Sequence, residues 1–237
     1  SPFNFPLILS MRAVAPALAL GNTVVLKPDP RTPVTGGFLL AQLFEEAGLP
    51  AGCLHVLPGD ASAGEALITD PDVTMISFTG STDTGSKVGE TCGRMHKRLS
   101  LEMGGKNAQI VLDDADLDLA IDGVLWGAFG TTGQRCTATS RLILQEGIHD
   151  EFVSRLARRV QALTLGDGRR AGTDVGPLVH EDAVRKVERY VDVGRKEGAT
   201  LVTGGHRAKG NGLDHGHFFA PTIFTDVKPD AVIAQEE

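Results

Sequence analysis

Cys136 stands in Gly133-Gln134-Arg135-Cys136-Thr137-Ala138, and Glu102 stands upstream in Leu101-Glu102-Met103-Gly104-Gly105-Lys106. A thiol in a polar, glycine-flanked stretch beside an arginine is open to reagents and electropositive enough to favour thiolate, the form that attacks carbon. A carboxylate flanked by glycines is suited to take a proton from water. Both residues also have an ordinary reading. Free cysteines are among the most buried residue types, and a lone glutamate is usually a solvated surface charge. Residue type alone favours the ordinary reading; the company of three further segments reverses it.

The first is Pro2-Phe3-Asn4-Phe5-Pro6, an asparagine between two prolines. The second is Lys27-Pro28, which closes the apolar run Thr23–Leu26. In an open α/β sheet, ligands sit at the carboxyl ends of strands, although a lysine closing a strand into a solvent turn is also common. The third is Phe78-Thr79-Gly80-Ser81-Thr82-Asp83-Thr84-Gly85, which follows one apolar run and opens a helical one. Such a junction offers backbone N–H groups and a positive helix end to a phosphate. It is not the GxGxxG fingerprint, and a Gly-Ser-Thr turn on its own reads as a helix N-cap.

In this order and at these spacings, the segments resemble the aldehyde dehydrogenase superfamily over essentially the whole chain, and most of all its benzaldehyde and vanillin dehydrogenase branch. The resemblance implies Cys136 as nucleophile, Glu102 as the base that activates water, and Asn4 as an oxyanion donor together with the Cys136 backbone N–H. It implies Lys27, Gly80, Ser81 and Glu237 as residues for a bound NAD or NADP. Relatives carry a ribose-binding glutamate three residues after the lysine; here Pro30 stands there, followed by Arg31, which removes a repulsion against a 2′-phosphate. Met103 replaces a more common leucine, a change that conserves volume. Phe5, Ile8, Leu9 and Arg12 share one helical face beyond Asn4 and are expected to line the substrate entry. Arg12 equally fits a succinate-semialdehyde dehydrogenase, where an arginine holds the substrate carboxylate, or a structural ion pair. A non-catalytic structural relative and a glutamyl-phosphate reductase also share the fold; intact Asn4, Glu102 and Cys136 argue against the first, and Glu102 against the second.

Elements that could position these residues follow from the apolar patterning. Short β-rich runs (Thr23–Lys27, Cys53–Leu57, Thr74–Phe78, Arg98–Glu102) alternate with helical ones (Leu7–Leu20, Phe38–Phe44, Ala63–Thr69, and one opening after Thr79). That alternation implies an α/β fold with a doubly wound parallel sheet, Rossmann-like and incomplete, in a cofactor-binding domain over 1–104. From Lys106 the pattern restarts as an α/β catalytic domain over 105–237. It has strands at Ala108–Leu112 and Arg141–Leu144, a helix whose acidic N-terminus is Asp113–Asp116 and which runs to about Phe129, helices at His149–Leu163 and Asp182–Lys196, and a polar, glycine-rich loop, Gly204–Gly216, expected to be mobile.

Composition narrows the classes. A net charge of −7 over 237 residues offers no basic footprint for nucleic acid or for a membrane surface. Cys53, Cys92 and Cys136 are odd in number and widely spaced, which argues against a disulfide framework and a metal site and for a reducing, cytoplasmic setting. Both ends read as cuts through a longer protein, expected to be a homo-oligomer with an aldehyde substrate.

Overall fold

The computed structural model describes residues 1–237, which divide into two compact units, Ser1–Gly104 and Gly105–Glu237. In the first, helix α1 (Pro6–Ala19) begins on a proline, whose missing N–H would have had no partner there anyway, and carries Pro16 within it. It buries Ser10 and Val14, one turn apart. Gly21, at φ 79°, follows its end. Strand β1 (Val24–Leu26) pairs in parallel with β2 (Leu54–Val56), Val25 opposite His55. Between them a π-helical turn, Val34–Phe38, runs into α2 (Leu39–Glu46). The helix therefore starts earlier than its apolar spacing implies. The cause is Gly36 and Gly37, both buried. A Cβ on Gly37 would lie 2.8 Å from Val56 Cγ1 and 2.9 Å from Pro28 Cγ, so bare backbone packs against both. Val14, Leu26 and Leu40 form the core beneath.

The same unit continues through α3 (Ala61–Thr69) to a second parallel pair, β3 (Met75–Gly80) and β4 (Arg98–Met103), joined by α4 (Thr82–Arg94). Parallel pairs need a crossover connection, and in each pair a helix supplies it. The architecture is the α/β class the alternation implied, with ladders formed pair by pair.

In the second unit, β5 (Asn107–Val111) and β6 (Thr139–Leu144) make a third parallel pair around α5 (Leu117–Phe129). Asp116 caps α5 by accepting from the N–H groups of Asp118 and Leu119. Helix α6 (His149–Gln161) buries Phe152, Leu156 and Val160 on one stripe against Val111, Ile121 and Val124. Helix α7 (Glu181–Lys196) packs through Val184 and Val191 on Leu178 and Phe219. Strands β7 (Thr200–Thr203) and β8 (Ile223–Thr225) are antiparallel, and α8 (Val232–Gln235) closes the chain.

The segment after β7, expected to be a mobile loop, is instead tied down. Ala208 N–H donates to Phe218 O and Ala220 N–H to His206 O. Between those bonds Arg207 donates to Glu188 at 2.6 and 3.0 Å and to Glu181 at 2.7 and 3.1 Å. Polar composition hid this, because the anchoring carboxylates lie on a helix about one loop-length upstream. No helix is long and apolar enough to cross a membrane.

Candidate active site

Cys136 occupies a tight turn between α5 and β6, closed by Ala138 N–H donating to Arg135 O at 3.0 Å. It is exposed, whereas Cys53 is half-buried and Cys92 fully buried in α4. The three residues entering this turn are left-handed: Thr131 at φ 57°, Thr132 at 58° and Gly133 at 68°. Only glycine takes that conformation freely. A β-branched residue there is strained, and strain of this kind persists only where surrounding bonds fix it.

Those bonds are visible. Thr132 Oγ1 donates to Gly176 O at 3.1 Å, while Gln134 accepts from Val179 N–H at 2.9 Å and donates to Pro177 O at 3.4 Å. Asn107 Nδ2 donates to Cys136 O at 2.7 Å and to Ala138 O at 3.2 Å. Arg135 corrects an expectation. Its guanidinium is not directed at a thiolate; Nη2 donates to Trp126 O and Gly127 O at 2.7 and 2.9 Å, and the group stacks 4.0 Å from the Trp126 ring centre. It neutralises the carbonyl end of α5, where a cation is favoured.

In the first unit, Asn4 Oδ1 accepts from Phe5 N–H at 3.1 Å, which turns the oxygen of the carboxamide toward its own backbone. Phe3 lies under the Arg31 guanidinium, 4.4 Å from ring centre to carbon, so the Asn4 segment runs beside the turn after Lys27. Arg31 grips Asp29 through Nε at 2.7 Å and Nη2 at 2.5 Å. Burial pushes the Asp29 carboxyl up, but hydrogen bonds from the Arg31 side chain and backbone, with the charges of Arg31 and Lys27, outweigh it and leave the group below its usual range. Lys27 is half-buried directly after β1. Phe5, Ile8 and Arg12 form an exposed face of the α1 region, with Leu9 half-buried beside them.

Glu102 is exposed on β4 opposite Thr79, one step before the pair Gly80–Met103. Glu102, Gly80 and Ser81 thus gather at the carboxyl end of one parallel pair. Ser81 is the N-cap of α4, its Oγ accepting from Thr84 N–H at 3.3 Å. A Cβ on Gly80 would lie 2.5 Å from Phe78 Cζ, so a side chain there would require the Phe78 ring to move. The first-turn amides that Ser81 does not cap, with a glycine before them, fit a phosphate; the carboxylates of Asp83 in that turn and of Glu102 at the same strand end oppose it. In the second unit, Glu237 and Glu236 are close enough to Lys106 to act on its charge. Burial nonetheless lowers the Lys106 pKa, and Arg141 and Lys186 lower it further. Tyr190 OH donates to Glu236 at 2.7 Å.

These parts define an α/β protein that presents a cysteine on a strained, clamped turn and a carboxylate beside a helix start. The aldehyde dehydrogenase family model matches residues 1–237. The chain is 44% identical to benzaldehyde dehydrogenase [NAD(+)] from Pseudomonas putida, covering 100% of this chain and 47% of that protein. It is 51% identical to vanillin dehydrogenase from an Amycolatopsis strain over 86% of this chain and 42% of that one. Relatives named for other aldehydes, a succinate-semialdehyde dehydrogenase among them, reach similar identity. Its fold superposes on the crystal structure of Mycobacterium tuberculosis aldehyde dehydrogenase complexed with NAD+ with a TM-score of 0.96 at 42% identity, covering 100% of this chain and 48% of that one. The chain belongs to the aldehyde dehydrogenase family and spans about half the length of the relatives it matches.

Reading the sequence alone passes over Asn107, Thr132 and Gln134 as makers of the cysteine turn. Their partners lie 29 to 45 residues away along the chain, and no spacing rule reports such pairs.

Proposed function

We propose that this chain carries the reacting residues of an NAD(P)-dependent aldehyde dehydrogenase, with the nucleophile in its second unit and most of the cofactor-holding residues in its first. The observation that carries the reading is Cys136: it is the exposed cysteine of the three, and it follows a stretch, Thr131–Gly133, held in left-handed backbone. The thiolate adds to the aldehyde carbon, and the electron pair of the C=O bond moves to oxygen. The Asn4 carboxamide and the Cys136 N–H donate to that oxygen. When bound, NAD or NADP held by Lys27, Gly80, Ser81 and Glu237 supplies the acceptor for the hydride. Glu102 then takes a proton from water as the water attacks the thioester, and the C–S bond breaks to restore the thiolate.

The test is made in the full-length protein. Cys136→Ala should abolish aldehyde oxidation with cofactor affinity retained. Glu102→Gln should leave one rapid turnover of reduced cofactor followed by slow release. Appreciable oxidation by Cys136→Ala would sink the assignment.

Sequence likeness and the apolar residues Phe5, Ile8 and Leu9 support an aromatic aldehyde as substrate. Arg12, exposed on that same face, supports a semialdehyde with a carboxylate instead. Benzaldehyde and succinate semialdehyde, each with NAD and with NADP, separate the two. On the aromatic reading, Arg12→Met changes benzaldehyde oxidation little. On the other it removes a charged hydrogen bond of about 1.5–3 kcal/mol, a roughly 10- to 150-fold loss in kcat/KM for the semialdehyde. Pro30 leaves NADP open, while Nε and Nη2 of Arg31 are already engaged with Asp29.

A further inference from the structure

We propose that Asn107 is a positioning residue for Cys136, acting as a side-chain extension of the β5–β6 ladder; this rests on the reading of Cys136 as nucleophile. The backbone ladder ends at the pair Asn107–Thr139, with a register shift before Ala108–Arg141 that leaves Ser140 as an extra residue on β6. Ser140 Oγ donates back to Asn107 O at 3.3 Å, which marks the bulge. Bulges of this kind re-aim a strand next to a site. Beyond it the chain curls into the turn at Arg135–Ala138, and its carbonyls leave the ladder. Asn107 replaces the missing backbone partner: its amide nitrogen reaches both Cys136 O and Ala138 O. A carboxamide has two N–H groups to give, and both have a carbonyl here.

The other clamps act ahead of the cysteine, through Thr132, Gln134 and Arg135. Asn107 grips the peptide that follows it. Thr131, Thr132 and Gly133 hold left-handed backbone that relaxes once either side of the turn is released, and relaxation would swing both the thiol and the Cys136 N–H. Serine or alanine at 107 cannot span to two carbonyls. Aspartate has the right shape but no donor, and it would set a carboxylate against two carbonyl oxygens.

The experiment uses the full-length protein. In Asn107→Ala, the rate constant for the first turnover of reduced cofactor should fall about 100-fold, as expected for a reacting group held out of place, while cofactor Kd stays near the wild-type value. That rate constant is independent of how much enzyme is folded, so loss of stability alone does not move it. In Asn107→Asp, which keeps the shape of the side chain and removes its donors, the same rate constant should fall at least as far, again with cofactor Kd near the wild-type value. A first-turnover rate constant within about twofold of wild type in either variant overturns the proposal. Cys136→Ala run beside them separates the two ideas. If that variant still turns over, the nucleophile reading falls; if it is dead while Asn107→Ala is unimpaired, only the positioning role falls.

Discussion

At the scale of single residues, the tightest constraint outside the cysteine turn is Gly204. It ends β7 at φ 78°, and a Cβ there would lie 2.2 Å from Pro221 O and 2.7 Å from Thr222 Oγ1. Backbone cannot yield as a side-chain tip can. Gly204→Ala therefore meets two penalties, left-handed backbone and overpacking, and should destabilise the second unit by at least about 2 kcal/mol. Denaturant unfolding measures this, and an unchanged midpoint would refute it. Arg135 gives the opposite lesson. Next to a cysteine in sequence, it invites an electrostatic role; in space it stacks on Trp126 and caps α5. Adjacency along the chain says little about where a long side chain ends. The strand end that carries Glu102 and the helix start at Gly80 and Ser81 were, by contrast, each legible from local pattern, while the pairing that brings them to one end was not.

Among the elements, helices α6 and α7 were legible nearly to the residue, since one apolar stripe repeats along each. The π-helical turn was not. It arises because two glycines let backbone meet Pro28 and Val56, a fact of packing with no periodicity. The polar segment after β7 was misread for a similar reason, its anchor being the fork of Arg207 on Glu181 and Glu188. Hydrogen bonds from Arg207 hold both carboxyls below their usual range. A carboxyl with a depressed folded pKa adds stability above its unfolded value, about 4.3, and that stability drains away as pH falls through the folded value. Arg207 stays charged throughout. Protection of the Ala208 and Ala220 amides against hydrogen exchange should thus hold at neutral pH and drop on acidification below about pH 4.3. Glu181→Gln with Glu188→Gln should weaken it at neutral pH and flatten that response. Equal protection in the double variant and the wild type would mean the fork does not hold the segment.

For the molecule as a whole, order along the chain was the readable part: which segment bears the thiol, which the carboxylate, which the helix start. Less readable was how each is held, since the bonds on the cysteine turn come from β5, α5 and the 176–179 stretch. Outward positions on the strands stay apolar, with Ile110 66%, Met75 55% and Ile143 50% exposed. Apolar type alone is therefore a poor guide to burial on these strands, although exposed and half-buried positions do alternate along the start of β3 and β4. One further consequence follows from the stack of Arg135 on the α5 indole. The chain contains a single tryptophan, and it is Trp126. Its ring touches the side chain of the residue immediately before Cys136, so the indole emission of this chain comes from a lamp mounted on a clamp of the cysteine turn. Alkylation, acylation or release of the turn can be followed in its spectrum without attaching a dye.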